Sequence, residues 1–126
     1  AARPLVSREL IRRVLDRLES GESLVPALPL RDSVARVGYE SWLKAYVDRS
    51  ELLAVQTPQG FHRPVLEYAF QQARSDHFLG TDEASLVLRI NHPVSWLEGE
   101  VTNIKITVPS DLLLAEAILR MRGYRE

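Results

Sequence analysis

The chain of 126 residues contains no cysteine. Disulfide bonds and thiolate metal sites are therefore excluded, and the absence is consistent with the reducing cytoplasm, where we expect this protein. Neither sign of charge is in excess, because 16 basic and 17 acidic residues give a formal net charge of −1. A protein that binds nucleic acid nonspecifically would carry a basic excess, so no nucleic-acid partner is expected.

Long hydrophobic runs are also missing. No apolar stretch approaches the length of about 18 residues that a membrane-spanning helix needs, so we expect no membrane partner. Glycine is scarce, with six residues and no cluster. The three histidines, His62, His77 and His92, are 15 residues apart. That spacing does not match the patterns of zinc ligands, and no metal-ligating residue is predicted.

The residues that are present alternate between strand-like and helix-like patterns. Ser7 is a good N-cap for an apolar stripe at helical spacing, which Gly21 ends. The run 24–30 reads as a buried strand, although Pro26 and Pro29 predict that it is interrupted or lies partly at an edge. Further strands are predicted over 52–55, 94–97 and 103–107. In the last of these, Ile104 and Ile106 alternate with Asn103, Lys105 and Thr107, which predicts one buried face and one polar face. Further helices are predicted over 64–73, from Thr81 as N-cap, and from Pro109 to Gly123.

This alternation predicts an α/β domain with a mostly parallel sheet. In the 64–73 helix, the side chains expected to face inward are Val65, Leu66, Ala69 and Phe70. Residues 32–48 form two alternating runs around a glycine-containing turn, which predicts a β-hairpin with Trp42 and Tyr46 on one face. A two-stranded hairpin is not stable alone in water, so we expect it to pack on another surface, and a partner subunit is a candidate.

Five short segments carry most of the functional information. They are, in order, Ala1-Ala2-Arg3-Pro4, Val47-Asp48-Arg49, Gln56-Thr57-Pro58-Gln59, Thr81-Asp82-Glu83-Ala84-Ser85 and Asn103-Ile104-Lys105. Together they resemble the 2-C-methyl-D-erythritol 4-phosphate cytidylyltransferases of the non-mevalonate isoprenoid pathway. The resemblance runs over essentially the whole chain. Each segment alone is weak, but five in the right order with matching spacing are specific.

The resemblance implies a Rossmann-like nucleotidyltransferase sheet with a protruding β-hairpin arm at 33–49 that clasps a second subunit. Members of that family open with a strand and a glycine-rich loop that wraps the CTP phosphates, and this sequence has neither. Residues 1–126 therefore resemble the C-terminal part of a single cytidylyltransferase domain. We expect that part to be inactive alone.

The resemblance also assigns roles to particular residues. Lys105 would neutralise phosphate charge, and Arg49 would reach the neighbouring subunit's substrate phosphate from the arm. Residues matching the substrate-binding positions are Arg3, Ser33, Thr57 and Thr81, and Ala1 would lie against the cytidine. Simpler readings compete with these: a solvated strand face for Lys105, a surface ion pair for Arg3, and a helix N-cap for Thr81.

The implied reaction transfers a cytidylyl group from CTP to 2-C-methyl-D-erythritol 4-phosphate. Its products are 4-diphosphocytidyl-2-C-methyl-D-erythritol and pyrophosphate, with Mg²⁺ bridging the triphosphate and a homodimer formed through the arm. Three alternatives stay open. They are a ribitol 5-phosphate cytidylyltransferase, although those enzymes tend to read Ala-Val-Arg-Pro, a non-catalytic dimerising fragment, and one section of a bifunctional protein.

Overall fold

A computed structural model describes residues 2–124. Four helices are present in this range: α1 (Arg8–Glu19), α2 (Arg63–Ser75), α3 (Glu83–Arg89) and α4 (Pro109–Met121). Five strands accompany them: β1 (Leu24–Pro29), β2 (Val34–Val37), β3 (Leu43–Val47), β4 (Leu53–Val55) and β5 (Ser95–Glu98). A short 3₁₀ turn, Arg49–Glu51, joins β3 to β4. None of these described helices is long and apolar enough to cross a membrane.

The main sheet has three strands in the order β4-β1-β5. Strand β1 runs parallel to β5 and antiparallel to β4. The predicted α/β class is therefore confirmed. The sheet is not mostly parallel as predicted, because only one of its two strand pairs, β1 with β5, is parallel. Antiparallel pairing follows because the hairpin and the 3₁₀ turn return the chain beside β1 with no crossover helix between them.

Pro26 lies in the central strand, which is continuous, so the prediction of an interrupted strand is wrong. The alternative, a strand that lies partly at an edge, fits the β4 side, where the ladder covers only Ala27 to Pro29. Its side chain is fully buried. Its carbonyl oxygen accepts a hydrogen bond of 2.8 Å from the Gln56 amide. The ladder with β4 ends at Val55 opposite Ala27, so the missing N–H of Pro26 falls where regular pairing with β4 has already stopped, while pairing with β5 continues opposite Leu97.

Helix α1 is formed as predicted. The Ser7 hydroxyl accepts a hydrogen bond from the Leu10 amide at its N-terminus, and Gly21 follows its C-terminus with a φ of 99°. Its buried side chains, Leu10 and Val14, pack against Leu24 in β1. This contact fixes α1 on one face of the sheet.

Helices α2 and α3 pack through small residues. Ala69 and Ala73 are buried against Leu86 and Val87, because two alanines one turn apart let the helices approach closely. The prediction that Phe70 faces inward is wrong, since its side chain is 38% exposed. One position beyond Ala69 on a helix is rotated by about 100°, which turns Phe70 away from α3.

Two further predictions of local structure need correction. The N-cap of α3 is Asp82 and not Thr81, because the Asp82 carboxylate accepts the hydrogen bond from the Ser85 amide. Residues 103–107 alternate in exposure beyond Asn103 but form no strand. Their main-chain hydrogen bond to another segment runs from the Ile106 amide to the Ala2 carbonyl, and one such bond does not make a ladder.

The predicted hairpin is present as β2 and β3, which pair antiparallel with an irregularity between Arg36 and Val37. Its tip is closed by a hydrogen bond of 2.8 Å from the Gly38 amide to the Trp42 carbonyl. Trp42 and Tyr46 are both about three-quarters exposed. Within residues 2–124 the hairpin therefore leaves its aromatic side chains uncovered.

Candidate functional site

A cavity of about 950 Å³ opens beside the end of β4. Its walls come from the N-terminal segment, the turn after β4, the connection between α2 and α3, and the 103–107 segment. Four residues that the sequence predicted as functional line this one cavity: Arg3, Thr57, Thr81 and Lys105. They are separated by up to about a hundred positions in the sequence, so only the fold brings them together.

The other predicted residues lie elsewhere. Ser33 is exposed at the start of the hairpin. Arg49 lines a separate depression of about 650 Å³ at the base of the hairpin, where its guanidinium donates to the Arg31 carbonyl. Neither contributes to the cavity of its own chain, and delivery of Arg49 to a second subunit stays a prediction. Ala1 lies outside the described residues.

Arg3 is held at the cavity wall by main-chain carbonyls. Its guanidinium donates to the Asn103 carbonyl at 2.5 Å and to the Val55 carbonyl at 3.4 Å. Partial burial lowers the pKa of this guanidinium from its ordinary value. Arginine stays protonated in proteins, so Arg3 presents a fixed positive charge whose remaining N–H groups are available to an anion.

Lys105 supplies a second positive charge to the same cavity. Its side chain is exposed and has no hydrogen-bond or ion-pair partner anywhere in residues 2–124. Arg74, near the C-terminal end of α2, is a third cation on the cavity wall. Sequence reasoning missed Arg74, although its helical spacing of four from Phe70 puts both residues on one face of α2.

Behind the polar residues of the cavity wall lies a buried network of side-chain amides, Gln56 and Asn103, which the sequence did not predict. Gln56 donates to the Glu100 carbonyl at 2.9 Å and accepts from the Glu100 amide at 3.1 Å. Asn103 is fully buried and donates to Gln56 Oε1 at 3.3 Å and to the Thr57 carbonyl at 2.8 Å. The predicted alternation treated Asn103 as solvent-facing. No local signal marks it as buried, because its partners are more than forty positions away.

A second amide holds the opposite wall. Gln59 Nε2 donates to the Asp82 carboxylate at 2.8 Å, and Gln59 Oε1 accepts from the Ala84 amide at 3.1 Å. The turn after β4 is thereby tied to the start of α3, and Thr81 is placed at the cavity edge. Beyond Thr81 the wall is apolar, formed by Phe70, Ala73, Phe78, Leu79 and Leu86.

The arrangement suits a ligand that carries phosphate and hydroxyl groups. Arg3, Arg74 and Lys105 offer positive charge, and the Thr57 and Thr81 side chains are exposed hydroxyls. The described residues contain no group of three or more histidine, aspartate or glutamate side chains that could hold a metal. Both oxygens of Asp82, a carboxylate on the cavity wall, are already engaged. Residues 2–124 therefore do not offer three clustered ligands that would enclose a metal on their own.

Comparison with known proteins agrees with this geometry. The profile of the 2-C-methyl-D-erythritol 4-phosphate cytidylyltransferase family matches residues 1–121. The enzyme of that name from Syntrophus aciditrophicus is 41% identical over 123 residues, which are 98% of this chain and 53% of that protein. The one from Symbiobacterium thermophilum is 46% identical over 119 residues, which are 94% of this chain and 50% of that protein.

Solved structures give the same relationship. The crystal structure of 2-C-methyl-D-erythritol 4-phosphate cytidylyltransferase from Thermus thermophilus superposes with a TM-score of 0.86 and 42% identity. The match covers 94% of this chain and 58% of that one. The enzyme from Francisella tularensis gives a TM-score of 0.84 at 28% identity, over 92% of this chain and 55% of that one. This chain spans about half the length of the curated relatives it matches. It belongs to the 2-C-methyl-D-erythritol 4-phosphate cytidylyltransferase family.

Proposed function

We propose that the protein containing this chain transfers a cytidylyl group from CTP to 2-C-methyl-D-erythritol 4-phosphate, and that residues 2–124 supply the wall that receives the sugar phosphate. The observation that carries the proposal is the convergence of Arg3 and Lys105, with the Thr57 and Thr81 hydroxyls, on one cavity. Family membership supplies the substrate class.

The chemistry needs positioning more than proton transfer. A phosphate oxygen of the sugar phosphate bonds to the α-phosphorus of CTP, and the bond from that phosphorus to the bridging oxygen of the β-phosphate breaks, so pyrophosphate leaves. The nucleophile is already an anion, and no general base is required. Lys105, a free cation, balances charge on the attacking phosphate, while Arg3 is fixed by its carbonyl contacts and fits a pre-organised phosphate contact.

Three further features belong to the same proposal. The exposed aromatic hairpin serves as an arm that pairs two copies of the protein, and it carries Arg49 toward the partner's sugar phosphate. Mg²⁺, which prefers oxygen ligands and substrate phosphates, would be held by the triphosphate and not by residues 2–124. We place the protein in the cytoplasm, on the absence of cysteine and the family resemblance.

The test is pyrophosphate release by the purified full-length natural protein. CTP is supplied with 2-C-methyl-D-erythritol 4-phosphate and, separately, with ribitol 5-phosphate. We expect turnover with the first acceptor and little with the second. Lys105→Ala should lower turnover by roughly 10²-fold or more, as expected when a pre-organised electrostatic group is removed.

The matched control is Arg12→Ala on α1, which also removes one positive charge but does not line the cavity. It should retain wild-type turnover. Wild-type rates in Lys105→Ala would refute the role of Lys105. Preference for ribitol 5-phosphate would change the substrate, and absence of turnover with both acceptors would refute the proposed reaction.

A further inference from the structure

Asn103 is the point at which three separate walls of the cavity meet. Its side-chain amide donates to the Thr57 carbonyl at 2.8 Å and to Gln56 Oε1 at 3.3 Å. Its own carbonyl accepts from the Arg3 guanidinium. Lys105 follows two positions later, and the next residue's amide donates to the Ala2 carbonyl at 2.8 Å. Asn103 itself is fully buried and cannot contact a ligand in the cavity directly.

The hydrogen-bond network fixes which way the amide of Asn103 points. Gln56 Nε2 must be the donor to the Glu100 carbonyl, so Gln56 Oε1 is an acceptor. The Thr57 carbonyl is an acceptor as well. Asn103 therefore has to present its NH₂ group to both, while its Oδ1 has no protein partner in residues 2–124. Every side-chain hydrogen bond of Asn103 thus runs through the NH₂ group.

We propose that Asn103 is a positioning residue that holds Arg3, Thr57 and Lys105 in register around the cavity. The inference rests on the proposed function and deepens it. The hydrogen bonds to the Thr57 carbonyl and to Gln56 Oε1 depend on the orientation of this buried amide, and the contact with Arg3 depends on the backbone that the amide anchors. Loss of the Asn103 side-chain amide frees the turn at Thr57 from the 103–106 segment and lets Lys105 shift relative to Arg3.

The experiment replaces Asn103 by aspartate in the full-length protein. Aspartate has nearly the same shape, but it supplies no donor when ionised and one donor when protonated, so at least one of the two acceptors loses its hydrogen bond. We expect turnover at saturating substrates to fall by about 10²-fold, the scale of a 1 Å misplacement of reacting groups. A second variant, Asn103→Leu, removes the donor without adding charge, and we expect a similar loss.

A double-mutant cycle separates positioning from general loss of structure. If Asn103 acts through Lys105, then Lys105→Ala should cost less than about tenfold in the Asn103→Asp background, since effects of residues that act together are not additive. The control is Val14→Ala, which opens space in the core under α1 away from the cavity. It should lower thermal stability while leaving turnover, and the cost of Lys105→Ala, unchanged.

The outcomes distinguish this inference from the proposed function. An active wild type whose Asn103→Asp variant keeps full turnover, or whose two substitutions are additive, refutes positioning and leaves the reaction standing. An inactive wild type refutes the reaction. Positioning is then decided by crystal structures of the wild type and Asn103→Asp: unchanged positions of the Thr57 carbonyl, the Arg3 guanidinium and Lys105 refute it, and displaced ones support it.

Discussion

Replacing Gly99 by alanine would place a methyl group where Gln56 already lies. A Cβ on Gly99 would lie 3.0 Å from Gln56 Cδ and closer still to Oε1. The backbone has little freedom to retreat, because the Gly99 amide donates to the Ala27 carbonyl at 2.8 Å. The Gln56 side chain must therefore move, although it is buried and bonded on both ends of its amide.

The size of the effect follows from the bonds at that amide. Three hydrogen bonds would be lost or weakened, two to the Glu100 backbone and one from Asn103. At about 1 kcal/mol each, Gly99→Ala should lower the free energy of unfolding by about 3 kcal/mol. For a protein of roughly 150–250 residues this corresponds to a melting temperature lower by about 6–12 °C.

Thermal and urea unfolding of the full-length protein measure the loss, and two variants test its cause. In a Gln56→Ala background the methyl group has room, so Gly99→Ala should cost less than about 1 kcal/mol there. Gly21→Ala is the control, since no atom lies within 4 Å of its Cβ position and only its φ of 99° opposes alanine. It should cost about 1 kcal/mol in both backgrounds. Equal costs of Gly99→Ala in both backgrounds would refute the reasoning.

Further predictions concern a helix cap, a pH dependence and the arm. Asp82→Ala should destabilise the protein by about 1 kcal/mol in urea unfolding, whereas Thr81→Ala should not, because Asp82 makes the cap. Hydrogen bonds from the Val108 and Thr107 amides lower the pKa of Asp111, so its contribution is present at neutral pH and is lost as acid protonates it below about pH 4. Unfolding measured against pH should therefore be less acid-sensitive in Asp111→Asn, and an unchanged profile would contradict this. Arg49→Ala should raise the Michaelis constant for the sugar phosphate and leave that for CTP unchanged; a change for CTP alone would show that the arm assignment is wrong.

Local patterns predicted the helices well because their signals are local. An apolar stripe at helical spacing, with Ser7 before it and Gly21 after it, was enough to place α1. The same reasoning failed at residues 103–107, where the alternation was read correctly beyond Asn103 but no ladder forms. At Pro26 it wrongly allowed an interrupted strand, because whether a proline is tolerated depends on where the neighbouring strand stops.

The sequence by itself determined the family, since five ordered segments are specific even when each is weak, and it indicated Arg3, Arg49 and Lys105, but not Arg74, as charged residues for phosphate. The tertiary structure decided which of them meet. Arg3 and Lys105 share a cavity while Ser33 and Arg49 do not, and Asn103 is buried between Gln56 and Thr57. These facts depend on contacts between segments more than forty positions apart, and such contacts leave no periodic trace in the chain.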